Sequence, residues 1–149
     1  MTGPFSKILV PVDGSSNSMR VGNFGLELAK AYGMHVIALY VIDEPPAASP
    51  PGAAKGEMPG LEANLLREGK NCLHALQLRA EEEGVDFVGL IKEGKAHRII
   101  VAVADEEDVD LILIGKVGQR GPRRILIGSV TERVLEGATC PVLVVKLAQ

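Results

Sequence analysis

Four residues carry the first chemical signal in this chain. Gly115, Gly118, Gly128 and Ser129 stand in the stretch GKVGQRGPRRILIGSVT, spaced Gly-x2-Gly-x9-Gly-Ser, directly after the apolar run VDLILI. Glycines let a backbone approach a ligand with its amides exposed and no side chain in the way. Gly121 adds a further point of close approach in the same loop. Gly128-Ser129 opens a helical pattern, and a helix start, with its unpaired amides and positive dipole end, favours an anion. Lys116, Arg120, Arg123, Arg124 and Arg133 are set against one acid, Glu132. That excess makes a local positive field in an acidic chain, suited to a small polyanion. Two other readings stay open. Gly115 also fits an ordinary strand-end turn, and Ser129 with Glu132 reads as a Ser-x-x-Glu capping box that needs no ligand.

A second loop, VDGSSNS, offers Asp13, Gly14 and Ser15: a carboxylate, a free turn and hydroxyls. The remaining polar clusters carry less. Asp105, Glu106, Glu107 and Asp108 are successive residues at a helix end and point in different directions, as in a solvated acidic turn rather than a metal site. His35, His74 and His97 fall on separate elements without ligand or triad spacing. No nucleophile–base pair is apparent, and neither a P-loop nor a Gly-x-Gly-x2-Gly fingerprint occurs.

Composition excludes several classes. A net charge of −3 gives no global basic field for nucleic acid, and 3% aromatic residues give no base-stacking platform. The longest apolar run, VIALYVI, is far short of the ~20 residues of a membrane span. The N-terminus lacks a basic segment followed by an apolar one, so it does not read as a signal peptide. Cys72 and Cys140 form neither a disulfide framework nor a metal pattern. A cytoplasmic protein without membrane or nucleic-acid partners is the expectation.

The elements that must position these loops follow from periodicity. Five short apolar runs read as strands: Lys7 to Val12, His35 to Val41, a weaker Asp86 to Ile91, Asp110 to Ile114, and Pro141 to Lys146. Their near-continuous apolar content predicts strands covered on both faces. Between them lie helical stripes: Val21, Phe24, Leu28 and Ala31 before Gly33; Leu61, Leu65, Cys72, Leu76 and Ala80; Ile99, Ile100, Val103 and Ala104; and Val130, Val134 and Ala138. This β-α alternation predicts an open, Rossmann-like α/β fold with a parallel sheet and helices on both faces. Residues 43–60, DEPPAASPPGAAKGEMPG, hold five of the nine prolines. They read as a long flexible excursion within a single domain of residues 1–149 rather than as a linker.

Ligands in such sheets bind at the carboxyl ends of the strands, where strand order reverses. The two loops share a crevice if strands one and four are neighbours, an adjacency that periodicity does not supply.

The chain resembles the universal stress protein family, in its ATP-binding branch, whose pattern is Gly-x2-Gly-x9-Gly-[Ser/Thr]. The opening KILVPVDGS, the segment SVTERVL and the closing CPVLVV are also similar and in the same order. The resemblance implies a five-stranded sheet of order 3-2-1-4-5, which makes strands one and four adjacent. It implies Pro11, Asp13 and Val41 at the adenine and ribose end. Gly115, Lys116, Gly118, Gly121, Gly128, Ser129, Val130 and Thr131 then take ribose and phosphates. The implied ligand is ATP, with ADP or AMP as alternatives and Mg2+ held by the phosphates. Between the first two glycines, where the family often has a small hydroxyl residue and a His or Arg, Lys116 and Val117 stand here.

A regulatory nucleotide-binding module in the stress response, acting on a protein partner still to be identified, is the leading expectation. A slow ATP hydrolase or nucleotidyl-transfer enzyme and a ligand-free structural dimer are the alternatives. Pro141 to Lys146, an apolar edge strand in that order, is expected to pair with its own copy in a homodimer.

Overall fold

The computed structural model describes residues 5–43, 59–116 and 127–147. Its elements run β1 (Lys7–Val12), α1 (Ser16–Tyr32), β2 (His35–Asp43), α2 (Pro59–Glu83), β3 (Phe87–Gly94), α3 (Ala96–Glu106), β4 (Leu111–Gly115), α4 (Ser129–Gly137) and β5 (Val142–Val145). All strand pairs are parallel, in the order β3-β2-β1-β4-β5. Strands one and four are therefore neighbours. The third strand is longer than its apolar run, because Lys92, Glu93 and Gly94 pair with β2 as far as Asp43.

Strand alternation divides the core in two. Ile8, Val10 and Val12 of β1 pack with Val36, Ala38 and Tyr40 of β2 under α1 and α2. Leu9 of β1, Ile37 and Leu39 of β2, and Ile112 and Ile114 of β4 pack on the other face under α3 and α4. Each face is thus covered by two helices, which is why the strands are apolar throughout rather than alternating.

The first helix shows a different buried face from the one its large residues predict. Val21, Gly22, Gly25, Leu26 and Ala29 are buried, whereas Phe24 is exposed. The cause is close approach. A Cβ on Gly22 would stand 2.9 Å from Leu76 Cδ2, and one on Gly25 would stand 3.0 Å from Val10 Cγ2. The two glycines let α1 sit directly on β1 and α2, so its contact face is partly made of backbone. Gly33, in the left-handed conformation (φ 66°), ends the helix as its position predicts. The fourth helix is likewise rotated from its predicted stripe. Thr131 and Val134 are buried, and Val130 is exposed.

The amino edge of the sheet is tied by Asp110. Its Oδ2 accepts from the Ser6 amide at 2.9 Å, the Ser6 hydroxyl at 3.0 Å and the Lys7 amide at 3.0 Å. These bonds join the start of β1 to the residue before β4. No helix is long and apolar enough to cross a membrane, among the described residues.

Candidate functional site

At the carboxyl edge the crossovers diverge. β1 leads into α1 on one face and β4 leads into α4 on the other, which leaves a crevice between their ends. Pro11 widens it. Ser6 O accepts from His35 of β2, and Lys7 O accepts from Asp110 on the β4 side. Even-numbered residues of β1 thus turn their polar groups to β2 and odd-numbered ones to β4. Pro11 therefore lacks its N–H on the β4 side, where that donor would otherwise serve the ladder. Pairing with β2 continues to Val12, whereas pairing with β4 covers only Ile8↔Leu111 and Leu9↔Ile112.

One wall of the crevice is the turn after β1. Gly14 is left-handed (φ 83°), and the Asp13 carboxylate accepts from the Ser15 amide at 3.0 Å. Ser15 then caps α1, its hydroxyl accepting from Ser18 N at 3.1 Å. Val41, near the end of β2, packs with the core of the α3–α4 face, the side toward which Pro11 points by alternation. An apolar patch and a carboxylate thus stand side by side.

The opposite wall is the end of β4 with the start of α4. Lys116 N–H donates to Val145 O at 2.9 Å, and Gly128 N–H donates to Lys116 O at 2.8 Å. The two ends of the basic loop are therefore pinned together. Gly128 is the N-cap, with an extended backbone and no side-chain cap bond, and Ser129 is the first helical residue. The capping box read from Ser129 and Glu132 is not formed, because Ser129 lies one position too late in the helix to serve as its cap. The Glu132 amide instead closes the first turn on Gly128 O at 2.9 Å. By position, the amides of Ser129, Val130 and Thr131 have no intrahelical acceptor.

The eleven residues expected at the site separate clearly. Pro11, Asp13, Val41, Gly115, Lys116, Gly128, Ser129, Val130 and Thr131 all lie at this carboxyl edge. Gly118 and Gly121 lie outside the described residues. Thr131 has a role its position alone does not reveal. It is 3% exposed, and its hydroxyl donates to the Gly115 carbonyl at 2.8 Å, so it ties the start of α4 to the end of β4 within this wall.

Periodicity also missed what stands behind the Asp13 turn. The Glu68 carboxylate of α2 lies against Gly14: a Cβ there would stand 2.5 Å from Glu68 Oε1. One turn along α2, Cys72 Sγ lies 3.1 Å from Met19 Sδ. Burial pushes the Cys72 thiol up to about 11, opposed by a hydrogen bond from the Gly14 backbone. Burial, and then the charge of Glu68, pushes the Tyr40 phenol up to about 12. Both groups are neutral at physiological pH, so they act as packing behind the turn. The spacing of Glu68 and Cys72 by four residues on one helix face was the available signal. No cluster of three or more His, Cys, Asp or Glu suited to a metal ion occurs among the described residues.

A five-stranded doubly wound parallel sheet whose order reverses between β1 and β4 defines the class: a Rossmann-like α/β domain. Residues 4–146 match the model of the Universal stress protein family, and the chain belongs to that family. It is 39% identical over 142 residues to universal stress protein MJ0531 of Methanocaldococcus jannaschii, covering 95% of this chain and 82% of that one. The solved structure of MJ0577, from the same organism, superposes with a TM-score of 0.81 at 32% identity, covering 99% of each chain. A universal stress protein from Archaeoglobus fulgidus, solved in complex with dAMP, superposes with a TM-score of 0.67 at 25% identity, covering 95% of this chain and 98% of the other.

Proposed function

We propose that this protein binds an adenine nucleotide, ATP or its shorter forms ADP and AMP, between the Asp13 turn and the start of α4. As a universal stress protein it then works as a regulatory module whose partner contacts change on loading. The observation that carries the reading is the crevice itself. Pro11 releases β1 from β4 at the strand ends, with a carboxylate on one wall and the first amides of a helix on the other. Pro11 and Val41 offer the apolar contact a base needs. Asp13 can accept from ribose hydroxyls, and the amides of Ser129, Val130 and Thr131 can donate to phosphate. The dAMP complex of the Archaeoglobus relative supports an adenine ligand on this fold.

Binding without efficient turnover is the reading that fits Asp13. It is the one carboxylate the proposal assigns to the site, it accepts from the Ser15 amide, and the family resemblance puts it at the ribose end rather than beside a terminal phosphate. The direct test is mass spectrometry of small molecules released from protein purified without added nucleotide. An adenine nucleotide in near-stoichiometric amount is expected. A ligand-free protein that also gives no calorimetric signal with ATP, ADP or AMP would overturn the proposal.

The assembly we propose is a homodimer through β5. This strand lies at the sheet edge with Leu143 40% exposed, and its described neighbour is β4. Two copies pairing antiparallel would satisfy both open edges and close under two-fold symmetry.

A further inference from the structure

The helices α3 and α4 carry cations that the nucleotide reading leaves unused. Both helices return from the carboxyl edge on the same face of a parallel sheet, so they run parallel to one another. Gly137 of α4 lies beside Val101 of α3: a Cβ on Gly137 would stand 3.5 Å from Val101 Cγ2, in ordinary van der Waals range. One helical turn back toward the carboxyl edge on each helix, four residues in both cases, brings His97 opposite Arg133. Lys95 is the N-cap residue of α3, and Arg98 follows His97.

This arrangement is unfavourable in the free protein. The first turn of α3 holds no acid, and Lys95 makes no side-chain cap bond, so the cations sit at the positive end of the helix dipole. Lys95, Arg98 and Arg133 form no ion pair among the described residues. The acids nearest in sequence are Glu93 ahead of Lys95, and Glu132 and Glu136 beside Arg133. Despite them, burial and then the charges of Arg133, Arg98 and Lys95 hold the His97 imidazole below its ordinary value. The imidazole therefore senses a net positive surrounding.

We propose that Lys95, His97, Arg98 and Arg133 form a phosphoryl-binding site beside the start of α4, one that takes the distal phosphates of a nucleoside triphosphate. The inference rests on the nucleotide reading and extends it, because it gives the chain a means of telling ATP from AMP. Arg133 follows Ser129 by four residues, about 6 Å along the helix axis at the α-helical rise, and helical side chains lean back toward the amino end. Its guanidinium can therefore reach toward phosphates seated on the first amides of α4. His97 faces Arg133 from α3 and completes a clamp whose mutual repulsion an oligophosphate would relieve.

The test follows the His97 imidazole by NMR through a pH titration, with His97→Gln identifying its signal among the three histidines. Titrations are run on the unliganded protein and with saturating AMP, ATP and inorganic tripolyphosphate. ATP and tripolyphosphate should each raise the His97 midpoint by about half a pH unit or more, and AMP should leave it in place. Arg133→Gln should lower the ratio of ATP to AMP affinity about tenfold. Displacement of tripolyphosphate by ATP would assign the phosphates to the nucleotide, and simultaneous binding would assign the site to a free anion. If neither nucleotide binds yet tripolyphosphate moves His97, the nucleotide reading fails and the phosphoryl site stands. A His97 midpoint unmoved by both ATP and tripolyphosphate overturns the proposal, whether or not calorimetry shows that nucleotide binds.

Discussion

The Thr131 hydroxyl donates to the Gly115 carbonyl at 2.8 Å, tying the start of α4 to the end of β4. Both residues belong to the segment whose spacing first marked the site, yet this bond is between two parts of the site rather than to a ligand. It fixes where the free amides of α4 point. Affinity for phosphate depends on such preorganisation, since a helix start that must be ordered on binding loses part of its gain to entropy.

Replacing Thr131 by Val keeps the shape and removes the donor. The part-buried Gly115 carbonyl loses its partner, so stability should fall by ~1 kcal/mol. Nucleotide affinity should fall further than for Thr131→Ser, which restores the hydroxyl. Urea unfolding and titration calorimetry on both variants give the comparison. Equal affinity in Thr131→Val and the unmodified protein would show that the bond does not organise the site.

Pro11→Ala tests what opens the crevice. The new amide would point toward β4 and could extend the β1–β4 ladder beyond Leu9↔Ile112. Two stability effects oppose each other: one gained donor, and a less restricted unfolded chain that costs ~0.4–1 kcal/mol. The melting temperature should therefore change little, while nucleotide affinity drops by roughly 1 kcal/mol as the strands draw together. Unaltered binding, with a protected amide at residue 11 in hydrogen exchange, would refute this role for the proline.

What was legible in the chain can be read from particular residues. The strands were visible because both of their faces are apolar, and the helix order followed from alternation. The adjacency of β1 and β4 was not visible, because periodicity fixes which face a residue occupies but not which strand lies beside it. It came only through the resemblance. The face of α1 was misread because its closest contacts are made by Gly22 and Gly25, which register as nothing in a hydrophobic pattern. Ser129 and Glu132 looked like a capping box because a one-residue shift in helix start is invisible to spacing. That the Arg133 charge reaches His97 could not be anticipated either, since it depends on the register of two helices separated by a strand and a loop.

Asp110 sets the acid limit of the fold. Hydrogen bonds from the Ser6 amide, with further help from the Ser6 hydroxyl, the Lys7 amide and the Lys7 charge, hold its carboxyl below the usual range. A depressed carboxyl stabilises the fold above its unfolded value, near 4, and that contribution is lost as pH falls through the lower folded value. Being half-buried, the network is worth ~1 kcal/mol rather than the larger figure for a dry site. Stability measured by urea unfolding should therefore decline below pH ~4 more steeply in the unmodified protein than in Asp110→Asn. Parallel acid limbs would remove Asp110 from that role.

The edge strand makes the last prediction directional. Along β5, Pro141 O accepts from Ile112 and Val145 O accepts from Lys116. Odd-numbered residues therefore turn their polar groups to β4, and Val142 and Val144 turn theirs outward. A proline at position 144 would delete an outward donor and leave the β4–β5 ladder intact. Val144→Pro should thus keep the monomer fold and weaken dimerisation, whereas Leu143→Pro should damage the fold itself by removing an inward donor. Sedimentation across a range of concentrations gives the association constant, and circular dichroism reports the fold. Loss of an outward backbone bond pair from a two-fold interface removes two such bonds at once, ~2 kcal/mol or about thirtyfold in association. A concentration-independent monomer for the unmodified protein would end the dimer proposal. A dimer that tolerates Val144→Pro would move the interface away from β5.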